Sequence, residues 1–126
     1  MSAGAEFAAT KQISLTTYRK DGTPVATPIW QVMDGGEMFM VSEAGAWKVK
    51  RIRNNGRVSV AACDLRGNLT AGVPAVEGTA RLLDEQGTAH ARSLLARRYV
   101  MSRVGNGFAR LLRLKRPPMI GIAIRF

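Results

Sequence analysis

One cysteine, one histidine and few aromatic residues set this chain of 126 residues apart. With Cys63 alone, no internal disulfide can form and a multi-cysteine zinc or iron–sulfur site is excluded. A single thiol also fits a reducing cytoplasm. His90 is the only imidazole, so no paired-histidine metal site can be assembled, and no nucleophile–histidine–acid set stands out. Aromatic residues make up 6% of the chain and do not interleave with its basic residues. A base-stacking platform is therefore missing, and no nucleic-acid partner is expected. The cleanest apolar run, 119–124, is far shorter than the roughly 20 residues that cross a bilayer. No basic-then-apolar leader opens the sequence, and a cytoplasmic protein is expected.

Acidic residues are the other scarcity. Nine Asp and Glu stand against 19 Lys and Arg, a formal charge of +10. Small domains usually carry roughly 2–8 charges of either sign, so this field is strong for the size. It favours polyanionic partners: nucleic acid, an acidic membrane, or a small ligand with several phosphates or carboxylates. The length fits one domain, 1–126, with no repeat or linker.

The chain is punctuated like a small β protein. Glu6–Ala9 reads as a short helix, and the alternating, β-branched run Ile13–Tyr18 as a strand. Asp21-Gly22 predicts a hairpin with a type I′ turn. The return strand covers Pro24–Met33, and Pro24 and Pro28 place it at a sheet edge, because proline has no N–H for a second neighbour. Asp34-Gly35-Gly36 turns the chain into a strand over 37–42. Ala44–Asn54 reads as a helix burying Val49 and Ile52, stopped by Asn54-Asn55-Gly56. Strands follow over 58–63 and 69–83, then a helix from Asp84 to Val100 with Ala91, Leu94, Leu95 and Arg98 on one face. Met119–Phe126 is the last strand. About six antiparallel strands with short helices predict a mainly β (α+β) barrel.

Thirteen of the 19 basic residues fall in two clusters, 48–57 and 92–116. In the first, a strand ending at Ser42 leads into a helix with Lys48 in its first turns. Such a junction offers free N–H groups and the positive end of the helix dipole, which suit a phosphate. Lys48 and Arg51, three apart, share a face there; the same spacing also describes a solvated basic face. The second cluster alternates Leu with Arg. It either lies on an acidic membrane or RNA, or buries its leucines on the barrel. Trp47 either stacks on a bound ring or covers the barrel. Cys63 reads as a small core residue and His90 as an ordinary helical one, while Gly105-Asn106-Gly107 lacks the preceding strand of a dinucleotide fingerprint.

Three segments carry a resemblance. Ile13–Trp30 (ISLTTYRKDGTPVATPIW), Lys48–Val58 (KVKRIRNNGRV) and Val76–Arg81 (VEGTAR) are similar, in order and spacing, to short actinobacterial proteins. These are the pyridoxamine-phosphate-oxidase-like, coenzyme F420-dependent oxidoreductases. The resemblance spans about residues 6–95. It implies a split β-barrel that works as a homodimer, with the cofactor in a groove between subunits. The residue aligned with Lys48 would meet the cofactor phosphate, with Ser42, its neighbour Val41, Lys50 and Arg51 near the phosphate and tail. Thr27, Pro28 and Ile29 would border the ring, with Gly72 or Val73 nearby and Trp47 beside the phosphate. The implied reaction is hydride transfer between reduced F420 and an electron-poor substrate, the cofactor doing the chemistry. FMN is the alternative cofactor, and a non-catalytic polyanion-binding module the alternative role. Relatives often have small polar residues where this chain has Ala46-Trp47.

Overall fold

The computed structural model describes residue 7 and residues 12–63, 75–100 and 118–126. Seven strands form one antiparallel sheet, curled into a half-barrel: β1 (Gln12–Tyr18), β2 (Pro24–Trp30), β3 (Val32–Asp34), β4 (Glu37–Glu43), β5 (Arg57–Ala62), β6 (Val76–Leu82) and β7 (Met119–Arg125). The spatial order is β2-β1-β5-β6-β7-β4-β3. Helix α1 (Trp47–Asn54) joins β4 to β5, and α2 (Glu85–Val100) follows β6. This is the split-barrel arrangement, with one strand more than the sequence pattern suggests.

The extra strand arises at Gln31. The predicted return strand 24–33 is broken there into β2 and β3. Gln31 is fully buried, and its Nε2 donates to the carbonyl of Phe7 at 2.8 Å. Its own carbonyl accepts from Arg98 Nη1 at 3.0 Å. A side chain turned inward to Phe7, with the main-chain carbonyl committed to Arg98, costs the ladder its regular step. As the prolines require, β2 is an edge strand, with Pro24 opposite Tyr18 and Pro28 opposite Ser14.

The first hairpin closes with a different turn from the one its Asp-Gly pair predicts. Among the described residues no side-chain-bearing residue has a positive φ, so Asp21 does not enter a type I′ turn. Instead Gly22 N donates to the Arg19 carbonyl at 2.8 Å, and Gly22 alone takes a positive φ of 90°. That is a type I turn closed by a left-handed glycine, with Asp21 Oδ1 accepting from Thr23 N at 2.9 Å. The two-residue loop with both φ positive is Gly35-Gly36, at 59° and 82°.

Side chains alternate between two cores. Met38 and Met40 of β4 and Ile122 and Ile124 of β7 point into the barrel with Val49 and Ile52 of α1. Phe39 and Ala123 point outward beneath Ala91, Leu94 and Leu95 of α2. Burying Val49 and Ile52 contributes on the order of 2 kcal/mol each. Glu37 of β4 and Arg81 of β6 form an ion pair across β7, which holds the Glu37 carboxyl below its ordinary value.

Other boundaries shift modestly. Helix α1 begins at Trp47 rather than Ala44, and β6 begins at Val76. The earlier part of the predicted strand 69–83, the expected N-terminal helix apart from Phe7, and the basic segment 101–116 with its Gly-Asn-Gly lie outside the described residues. No described helix is long and apolar enough to cross a membrane.

Helix α2 rests on β7 at Gly121. A Cβ there would stand 2.9 Å from Leu83 Cδ1 and 3.0 Å from the Thr88 Cα, and the latter is backbone that cannot give way. Gly121 N also donates to Thr88 Oγ1 at 2.9 Å. Gly121→Ala is expected to cost about 1–3 kcal/mol by overpacking, read as a fall of several degrees in Tm by circular dichroism.

Candidate functional site

Helix α1 is the element that gathers charge. Its sequence, WKVKRIRN, places Val49 and Ile52 three apart on the buried face. A 3.6-residue turn then leaves Lys48, Lys50, Arg51 and Arg53 to point elsewhere. Ala46 at the N-cap supplies no side-chain hydrogen bond, and the first turn holds no acidic residue. The positive end of the helix is thus left without a side-chain anion on its own first turn.

Beside α1 lies a groove of about 630 Å³. One wall is α1, through Trp47, Lys50, Arg51 and Asn54. The other is the first hairpin: Tyr18, Arg19 and Lys20, then Val25 and Thr27 of β2. None of these nine residues is acidic, and four are basic. Arg51 is fixed in place by donating from Nε to the buried Thr17 hydroxyl at 2.6 Å. Lys50 Nζ sits 4.5 Å from the centre of the Trp47 ring, a cation–π contact. The indole is 71% exposed, the one large hydrophobic side chain so exposed among the described residues. Thr27 also lines the groove, and its hydroxyl oxygen is buried and has no hydrogen-bond partner among the described residues.

The electrostatics are one-sided. Burial pushes the Lys48 ammonium below its ordinary value, and the Arg51 charge pushes it further, while Glu43 opposes them. Arg51 is itself lowered, first by burial and then by Arg19 across the groove. These cations repel one another at close range without a carboxylate between the groove walls.

The structure therefore brings together four of the residues singled out from sequence: Thr27, Trp47, Lys50 and Arg51. Lys48 stands on the same helix, half-buried, and is not among those lining the groove. Ser42 is buried, its hydroxyl 3.4 Å from the Glu43 carbonyl, and Val41 is turned to the α2 side of the sheet. Ile29 belongs to the barrel core, and Pro28 is exposed on the edge strand. Gly72 and Val73 lie outside the described residues. Sequence reasoning missed Tyr18, Arg19, Lys20, Val25 and Asn54. The signal was present in Arg19-Lys20 at a hairpin tip, but only the fold sets that tip against α1.

Elsewhere, Cys63 is buried just past β5. His90 of α2 lies 3.9 Å from the Asp34 carboxylate and edge-on to Phe39 at 5.5 Å. No group of three His, Cys, Asp or Glu side chains among the described residues is arranged to hold a metal.

Residues 3–116 match the family model of pyridoxamine 5'-phosphate oxidase. No curated protein matches the chain. Among solved structures, an F420 reductase is similar at a TM-score of 0.65 and 20% identity, covering 99% of this chain and 94% of that one. An FAD-binding protein from Mesorhizobium loti gives 0.62 and 20%, over 95% and 82%. HutZ, the haem storage protein of Vibrio cholerae, gives 0.68 and 15%, over 99% and 90%. At these identities the likeness is one of fold.

The Lys48 environment has a thermodynamic consequence. Its folded pKa lies below the ordinary 10.5, so the unfolded chain binds the extra proton between those two values. Stability contributed at this position therefore rises with pH through that window. Lys48→Met, which keeps the apolar stem, is expected to raise Tm at neutral pH and to flatten the alkaline rise. Thermal denaturation from neutral pH to about 10 checks both.

Proposed function

The chain belongs to the pyridoxamine 5'-phosphate oxidase family, and on that premise we propose that it is an oxidoreductase whose groove binds coenzyme F420 and presents it to an electron-poor organic substrate. The observation that carries this reading is one groove with a cationic rim, aromatic walls and a buried hydroxyl awaiting a partner. Small-molecule sites measure roughly 300–1,000 Å³ and combine apolar walls with a few placed polar groups. A groove of about 630 Å³ falls within that range.

The choice of cofactor rests on charge. FMN ends in one phosphate, whereas F420 carries a phosphodiester and an oligoglutamate tail. Lys50 and Arg51 on the α1 wall, with Lys48 on the same helix and no acid lining the groove, suit the longer polyanion. Held here in its reduced form, F420 would supply the hydride that the substrate accepts. Arg51, pinned by Thr17, and Lys50 balance the anionic portion from the groove side, and Lys48 adds its half-buried charge from the same helix. An arriving anion relieves the mutual repulsion of these groups, so part of the binding energy is set by the empty site. Thr27, whose hydroxyl finds no partner among the described residues, would stand beside the ring. No side chain needs to act as acid or base, because the cofactor carries the reaction. In this reading two copies associate as a homodimer in the cytoplasm, each closing the open side of the other's groove.

Titration with oxidised F420, followed by its fluorescence, is expected to give micromolar or tighter binding, and tighter than FMN measured in parallel. Binding absent at high micromolar concentration overturns the cofactor assignment. Lys48→Ala with Arg51→Ala is expected to weaken F420 binding about tenfold in low salt, the gap narrowing in molar salt as charge is screened.

A further inference from the structure

The basic residues of the groove fall on two opposed walls, and only one wall is needed to hold a cofactor phosphate. Lys50 and Arg51 stand on α1, while Arg19 and Lys20 stand at the tip of the β1–β2 hairpin. The walls are within electrostatic reach, since Arg19 lowers the pKa of Arg51. The acids near the hairpin are engaged elsewhere. Asp21 accepts from Thr23 N within its own turn, although it partly offsets Arg19. Glu77 pairs with Arg57 at 2.8 Å, and that guanidinium lies 5.3 Å from the centre of the Tyr18 ring. The same two walls carry apolar surface, Tyr18 and Val25 on the hairpin side and the exposed Trp47 on α1, which suits a flat apolar body.

We infer that Arg19 and Lys20 form a second anion subsite of the groove, one that selects an aromatic substrate bearing a carboxylate and orients its ring between Tyr18 and Trp47. This rests on reading the groove as the redox site, and it names the chemical class of molecule that the site takes. Guanidinium and ammonium together favour a carboxylate over its neutral carboxamide, because the charged acceptor forms the stronger hydrogen bonds and gains the Coulomb attraction. The ring supplies the apolar contact that a free small anion lacks. The same two cations have another possible occupant, the acidic tail of the cofactor, and the experiment separates the two.

The probes are 2-naphthoate and 2-naphthamide, which share shape and differ in charge. Their binding is measured by calorimetry on the protein alone and on the protein saturated with oxidised F420. The wild type is expected to bind naphthoate at least about tenfold more tightly than naphthamide in both states. Arg19→Gln with Lys20→Gln is expected to bring the two probes within about twofold, with F420 affinity also within about twofold of wild type. Arg19→Lys with Lys20→Arg, which keeps the charge, retains the preference and controls for the hairpin fold. Equal binding of the probes by wild type overturns the inference, as does a preference that survives the glutamine variant. A tenfold loss of F420 affinity in that variant overturns it too, assigning the hairpin cations to the cofactor tail. Failure of the wild type to bind F420 at all removes only the cofactor reading, since the unliganded protein still decides between the probes.

Discussion

Burial of Val49 and Ile52 against the barrel core is the constraint from which the rest of the site follows. Two apolar residues three apart fix the rotation of an eight-residue helix about its own axis. Once that rotation is set, the intervening and flanking basic residues have nowhere to go but outward and sideways. Arg51 is then the hinge between structure and chemistry. Its Nε is committed to Thr17 on β1, which locks the side chain, while its charge still faces Arg19 across open space. A short helix with no acidic residue and no side-chain cap would be a poor helix alone. Packing stabilises it, and its local electrostatic imbalance is what a bound anion would correct.

Much of the fold was legible in the residues. The prolines at 24 and 28 announced an edge strand, Val49 and Ile52 gave the buried face of α1, and Ala91, Leu94 and Leu95 that of α2. What stayed hidden depended on distant partners. Nothing local in Trp30-Gln31-Val32 shows that Gln31 will turn inward to reach Phe7, yet that contact makes two strands of one. The Asp-Gly turn misled because the dipeptide is shared by two turn types, and a third loop residue tips the balance. The site was half legible for the same reason. Trp47, Lys50 and Arg51 sit on one helix and could be grouped by spacing, whereas Arg19 and Lys20 join them only through the curl of the sheet.

The similar structures set the scale of what a fold can decide. The F420 reductase, the FAD-binding protein and the haem storage protein share this architecture with the chain at 15–20% identity. One curled sheet thus serves several ligand chemistries, so the architecture by itself names none of them. Discrimination has to come from the side chains that line the groove. In this chain those are unusually uniform in sign, and the Trp47–Lys50 contact ties an exposed indole to the same cationic wall.

The edge strand constrains how copies of this molecule can meet. In β2 the odd-numbered residues between 25 and 29 face their main-chain groups toward β1, which leaves positions 24, 26 and 28 to face away from the sheet. Two of those three are proline. A neighbouring molecule seeking to continue the ladder there would find gaps where donors should be, and its own carbonyls would go unmet. Growth of the sheet by strand addition is therefore blunted along this border. A neighbour that meets the molecule along β2 has to use side-chain surfaces instead.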